Sequence, residues 1–185
     1  MSKQALIVID IQNDYFENGA FPLVNPIDAS IKASKVLEHF RAKNLPIAHI
    51  QHVNPNGAPF MALGTNGVEI HENVKPLNGE KIFQKSYPNS FRGTGLLDFL
   101  KENEVTEVVI TGMMTHMCVD ATTRAAFDFE YKCTVIGDAC ASRDLEINGK
   151  TIKADDVHHA FLSALEFFYA EIKSAEEFLS ENKVL

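Results

Sequence analysis

Tryptophan is absent from this 185-residue sequence, and cysteine occurs only three times, at Cys118, Cys133 and Cys140. An odd number of cysteines with no C-x-x-C pair makes no disulfide framework and suits a reducing, cytoplasmic setting with free thiols. No stretch approaches 18 consecutive apolar residues, which excludes a transmembrane helix. The leading segment, MSKQALIVIDIQ, has too short an apolar run and no small-residue cleavage site, so it does not read as a signal peptide. Positive charge is also scarce. Seventeen Lys and Arg stand against 25 Asp and Glu, a net charge of −8, which argues against nucleic-acid or anionic-membrane partners. The acidity gathers late, with seven carboxylates and two lysines from Ala154 onward.

What is present suits one domain spanning residues 1–185, long enough to bury a core without disulfides or structural metal. QALIVI, residues 4 to 9, is a short apolar run rich in β-branched residues, as expected of a strand buried on both faces. Pro26 and Asp28 open a helix to about Lys43, and residues 45 to 53 form a second strand. Residues 54 to 80, with three of the seven prolines, read as a long loop of the kind that usually serves function. Further strands are expected at 81 to 84, 107 to 111 and 132 to 136, with helices near 95 to 102, 115 to 129 and 154 to 172. Strands alternating with helices predict a three-layer α/β/α fold around a mostly parallel sheet, with ligands bound beyond the carboxyl ends of its strands. Apolar residues off the main stripe of the last helix, Leu162, Phe167 and Tyr169, suggest a subunit contact.

At those strand ends three residue types carry chemistry. Asp10 closes the first strand, where partial desolvation favours a general base. VVITGMMTHMCVDATTRAAF reads as strand, turn and helix, with Thr115 as N-cap and Cys118 in the first helical turn. There the helix dipole and unpaired N–H groups favour a thiolate and offer an oxyanion site. Lys85 follows the third strand, and beside Asp10 it would orient and tune that carboxylate. Cys133 and Cys140 lack such surroundings and read as structural. The histidines give no Cys–His dyad by spacing: His116 lies two residues from Cys118 and so faces elsewhere on a helix, while His158 and His159 sit on the last helix. His52 and His71 fall near the functional edge without the spacing of a metal site. Gly93 and Gly95 make no dinucleotide signature.

Four blocks in order then carry a resemblance: ALIVIDIQNDYF (5 to 16), GTNGVEIH (64 to 71), KSYPNSF (85 to 91) and GMMTHMCVDATTRAAFDFEY (112 to 131). Across nearly its whole length the chain resembles the isochorismatase-like cysteine hydrolases, among them nicotinamidases, N-carbamoyl amidases and streptothricin hydrolase-like enzymes. The resemblance implies a catalytic set of Asp10, Lys85 and Cys118, an oxyanion hole from the N–H groups of Met114 and Cys118, and a cis peptide at Met113–Met114. Metal-dependent nicotinamidases carry D-x-H where this sequence has His52 and Asn54, so the resemblance implies no zinc, and no cofactor is expected. Relatives that hydrolyse the vinyl ether of isochorismate generally lack the cysteine, so Cys118 favours acyl transfer. The expected activity is hydrolysis of an amide or related C–N bond of a small molecule through a thioester. Asn13, Phe16 and Phe91 are expected at the substrate pocket, and the family commonly forms dimers or tetramers. A non-catalytic thiol or redox module and a vinyl-ether hydrolase are the alternatives.

Overall fold

The computed structural model describes residues 3–182. Its strands in chain order are β1 (Gln4–Ile9), β2 (Ile47–His52), β3 (Lys81–Lys85), β4 (Glu107–Met113), β5 (Lys132–Ala141), β6 (Leu145–Ile147), β7 (Lys150–Ile152) and β8 (Glu171–Lys173). The helices are α1 (Pro26–Ala42), α2 (Leu96–Glu102), α3 (Asp120–Asp128), α4 (Ala154–Glu166) and α5 (Ala175–Glu181). Six strands form one parallel sheet in the order β3-β2-β1-β4-β5-β8, while β6 and β7 make a separate antiparallel hairpin.

The unbroken apolar run of β1 follows from its central place. Leu6 and Val8 enter a cluster with Val36, Leu37 and Phe40 of α1 and Phe178 of α5. Ala5, Ile7 and Ile9 enter the opposite cluster with Leu96 and Leu100 of α2, Ala126 of α3 and Leu165 of α4. A strand covered on both faces needs an apolar side chain at every position, and parallel strands need helical crossovers to supply that cover. This is the expected three-layer arrangement, with every strand of the sheet pointing the same way.

Three features depart most from the sequence reading. The final helix ends at Glu166 rather than near Ile172, because the Leu165 carbonyl collects the N–H groups of Phe168, Tyr169 and Ala170 and closes the helix. The chain then joins the sheet edge as β8, with Thr134, Val135 and Ile136 opposite Glu171, Ile172 and Lys173. A three-residue edge strand offers no alternation to read, and FFYAEIK continues the helical spacing past the real stop. Of the residues expected off the stripe, Leu162 is buried and Phe167 is 88% exposed.

Second, β5 runs on to Ala141. Its register against β4 breaks between the pairs Ile110–Val135 and Gly112–Cys140, so Asp138 lies within the bulged strand and its Oδ1 accepts the Ala175 N–H at 2.7 Å. Third, the hairpin of β6 and β7 turns on Asn148 and Gly149, both with positive φ, the Asn-Gly signature of a tight hairpin.

The end of the long segment ahead of β3 is fastened to α1 and β2 by an ionic cluster at Glu80. Glu80 receives Arg41 of α1 at 2.7 and 2.9 Å, the ring Nε2 of buried His49 at 2.8 Å and the Leu77 N–H at 2.9 Å. Burial alone would raise the Glu80 carboxyl, but the Arg41 and other hydrogen bonds outweigh it and bring it down to about 2. A carboxyl held below its ordinary value stabilises the fold above that ordinary value, about 4.5, and the contribution is lost as pH falls toward 2. Urea unfolding of the wild type should therefore lose on the order of 2–3 kcal/mol more than Glu80→Gln between pH 5 and pH 2.5. Parallel pH curves for the two proteins would contradict this.

Candidate active site

Four neighbouring strands end at one place: β3 at Lys85, β2 at His52, β1 just before Asp10, and β4 at Met113. Asp10 turns out of β1 with φ 49° and is fully buried. Beside it, Gly112 adopts φ 139°, and a Cβ there would sit 2.1 Å from the Ile9 carbonyl oxygen. Only glycine lets β4 pass so close to the backbone that presents Asp10. The Met113–Met114 peptide is cis, as the resemblance implied. After it, Thr115–Val119 forms a π-helical turn that runs into α3 and holds Cys118, buried in the apolar cluster of Ile9, Phe91 and Ile110. The Met114 carbonyl accepts the N–H groups of Met117 and Val119.

Thr115 is not the N-cap; Met114 holds that position, with no side-chain cap. The Thr115 hydroxyl lies 3.1 Å from the Ala141 carbonyl, which it can only donate to, and 2.8 Å from Nδ1 of His158. His116 Nδ1 lies 2.7 Å from the Ser142 hydroxyl. Both contacts tie the turn to the end of β5 rather than to the thiol.

Lys85 stands at the centre. Its ammonium donates to Asp10 Oδ2 at 2.6 Å, to Cys118 Sγ at 3.3 Å and to His52 Nδ1 at 3.4 Å. The Lys85 and Asp10 side chains are wholly sequestered from solvent. Asp10 Oδ1 is buried with no hydrogen-bond partner. A carboxylate oxygen of Asp10, a ring nitrogen of His52 and Sγ of Cys118 lie within 4.8 Å of one another. Burial pulls the Lys85 ammonium down, yet the charges of Asp10 and Cys118 and its hydrogen bonds to them outweigh that, and the net shift is upward. Lys85 is therefore a cation at neutral pH.

Cys118 corrects the expectation of a resting thiolate. Burial, then the Asp10 carboxylate, push its thiol well above the ordinary value, and Lys85 only partly offsets them. Desolvation outweighs the helix dipole here, because the thiol is enclosed rather than set at an open helix start. Cys133 and Cys140 are buried as well, and burial takes each to about 12.

An oxygen, a nitrogen and a sulfur grouped this tightly are also a donor set for a metal, but the cation hydrogen-bonded to all three is the Lys85 ammonium. The pair matching D-x-H does not fit zinc either. Asn54 Nδ2 donates to the Phe60 carbonyl at 3.0 Å, while its Oδ1 lies 3.2 Å from His52 Nε2, so both side chains are engaged and neither is a carboxylate.

The residues expected at the pocket do not all lie together: Phe91 shares the apolar cluster of Cys118, whereas Asn13 and Phe16 lie elsewhere. Asn13 and Phe16 line a hollow of about 680 Å³ with Asn66 and Glu69, and Phe16 stacks on His71 at 3.7 Å; neither Asp10, Lys85 nor Cys118 borders it. Phe91 is buried against Phe129, with ring centres 5.1 Å apart. A separate hollow of about 390 Å³ touches Lys85 and is walled by Asn54, Leu63, Tyr87 and Arg92. Two residues near the site lay outside the sequence reading. Tyr15 is buried, and its phenol is raised by burial and then by the charges of Asp10 and Cys118. Gln12 is wholly buried and pairs with both backbone groups of His52 at 2.8 Å. The signal that could have found it is a glutamine two residues after Asp10, in DIQ.

Comparison with known proteins places the chain in a family. The isochorismatase domain model matches residues 4–176. An uncharacterized isochorismatase family protein, YddQ of Bacillus subtilis, is 49% identical over 95% of this chain and 98% of its own length. Streptothricin hydrolase of Streptomyces noursei is 31% identical over 77% of this chain and 51% of its own. Among solved structures, an isochorismatase-type protein of Oleispira antarctica superposes with TM-score 0.94 at 44% identity, covering 97% of both chains. N-carbamoylsarcosine amidase of Thermoplasma acidophilum superposes with TM-score 0.80 at 25% identity, covering 94% of this chain and 97% of its own.

Removing one member of a buried ion pair strands the other, so Lys85→Met should lower unfolding stability by about 3–5 kcal/mol. The double variant Asp10→Asn/Lys85→Met should recover much of that loss in urea denaturation. Additive losses from the two single variants would show that the pair is not energetically coupled.

Proposed function

Because the chain belongs to the isochorismatase family, we propose that it is a cysteine hydrolase that opens an amide or related C–N bond of a small molecule through a Cys118 thioester. The observation that carries this reading is the sealed contact of Lys85 with both Asp10 and Cys118, beside an unpaired Asp10 oxygen. A catalytic base needs a free lone pair within reach of the proton it takes, and Asp10 Oδ1 is buried without a partner. The amidase and hydrolase names among the relatives point to the same bond class.

In this mechanism Asp10 takes the thiol proton as Sγ attacks the carbonyl carbon. The raised thiol fits loss of its proton during the attack rather than before it. Charge developing on the carbonyl oxygen is held by the Met114 and Cys118 N–H groups, worth about 3–4 kcal/mol per donor in comparable sites. Collapse of the tetrahedral intermediate breaks the C–N bond, and protonated Asp10 returns its proton to the leaving nitrogen. Asp10 then removes a proton from water as its oxygen attacks the thioester carbonyl; the C–S bond breaks, Asp10 returns the proton to Sγ, and the acid product leaves with Cys118 and Asp10 restored. Lys85 stays cationic throughout, holding Asp10 Oδ2 so that Oδ1 remains the free oxygen.

The alternatives have less to stand on. Redox-sensing cysteines are exposed and acidic, whereas Cys118 is 5% exposed and its thiol is raised. Vinyl-ether hydrolysis has no use for the thiol that Lys85 hydrogen-bonds.

Cys118→Ala should cut release of ammonia or amine from an amide panel by at least about 10³-fold, with an unchanged circular dichroism spectrum. Mass spectrometry of the wild type quenched during turnover should show an acyl adduct on Cys118. Turnover by Cys118→Ala at the wild-type rate would end this reading.

A further inference from the structure

We infer that His52 is a positioning residue for the Lys85 ammonium, its neutral ring held with the Nδ1 lone pair toward Lys85 by Asn54. The inference rests on Asp10, Lys85 and Cys118 being the reacting set. An ammonium has three N–H groups, and a buried one needs an acceptor for each. Asp10 Oδ2 and Cys118 Sγ take two, and His52 Nδ1, at 3.4 Å, takes the third.

The ring's tautomer follows from its other contact. Asn54 Nδ2 donates to the Phe60 carbonyl at 3.0 Å, which fixes the amide and leaves its Oδ1 facing His52 Nε2 at 3.2 Å. An amide oxygen accepts only, so Nε2 carries the proton and Nδ1 is the lone pair that meets Lys85. Burial, then the Lys85 charge, hold the imidazole below its ordinary value and keep it neutral. The backbone is held as firmly. Gln12 receives the His52 N–H on Oε1 and donates Nε2 to the His52 carbonyl, each at 2.8 Å, and the Phe60 ring lies parallel to the imidazole at 6.2 Å. The groups acting on Cys118 are thus Asp10 just after β1 and Lys85 at the end of β3, with His52 from β2 acting through Lys85, while Asp10 and Cys118 in turn raise the nearby Tyr15 phenol.

With His52 replaced by an apolar residue, one ammonium N–H is buried without a partner. Lys85 must then turn away or lose its proton, and either change weakens the N–H that faces Sγ. Asparagine is the diagnostic replacement, because its Oδ1 stands near the place of histidine Nδ1 and accepts as that nitrogen does.

The test needs no substrate. Iodoacetamide alkylation of Cys118 is followed by mass spectrometry of its peptide from pH 6 to 10, in wild type, His52→Leu and His52→Asn. His52→Leu should be alkylated about tenfold more slowly at pH 8, with its pH profile moved upward, while His52→Asn stays within about twofold of wild type. Circular dichroism establishes that both variants are folded. Wild-type kinetics in a folded His52→Leu, or equal slowing in both variants, would overturn the inference; so would a change in the wild-type rate after chelation by EDTA, which would make His52 a metal ligand. Because alkylation requires no turnover, failure here is distinct from failure of the amidase reading, which rests on the acyl adduct.

Discussion

A buried lysine at neutral pH sets the terms for this site. An ammonium removed from water must find acceptors for its protons and a counter-charge, and Lys85 obtains these from groups delivered by three other segments. Asp10 supplies the charge, Cys118 a soft acceptor and His52 a neutral lone pair. Each partner is constrained in return. Asp10 keeps one oxygen occupied and one free, Cys118 faces a cation without becoming a resting thiolate, and His52 is confined to one tautomer.

Meeting those terms requires four strand ends at one level, which a parallel sheet provides. Every strand of the sheet runs in the same direction, so its carboxyl ends gather residues from positions 10, 52, 85 and 113–118. Gly112 permits the close pass of β4 over Ile9 that brings the turn holding Cys118 beside Asp10. The assembly is sealed from solvent, and that seal both raises the thiol and keeps the ion pair strong.

Local pattern makes part of this legible in the sequence. The two-faced burial of β1 shows in QALIVI, and strand–helix alternation gives the parallel sheet. Asp10, Lys85 and Cys118 stand where strands stop, and the four family blocks name them together. Features that depend on a single neighbour were not legible. β8 is three residues long and acquires its identity only by pairing with β5. The bulge in β5 is a relation between two strands, invisible in either alone. Asn13 and Phe16 adjoin Asp10 in sequence, yet the turn after β1 carries them to a different hollow. The Asn-Gly of the small hairpin was open to reading and simply carries a local turn.

By itself, then, the sequence determined the layer architecture, the candidate chemistry and the family, because hydrophobic periodicity and short motifs are properties of contiguous residues. Only the tertiary structure decided the ionisation of Cys118, the free oxygen of Asp10 and the engagement of His52 with Lys85. Those properties depend on enclosure and on distances of 2.6 to 3.4 Å between residues up to 75 positions apart. Helix-start logic lowers a thiol that water can reach; once folding removes the water, the cost of burying charge becomes the larger effect and its sign is opposite.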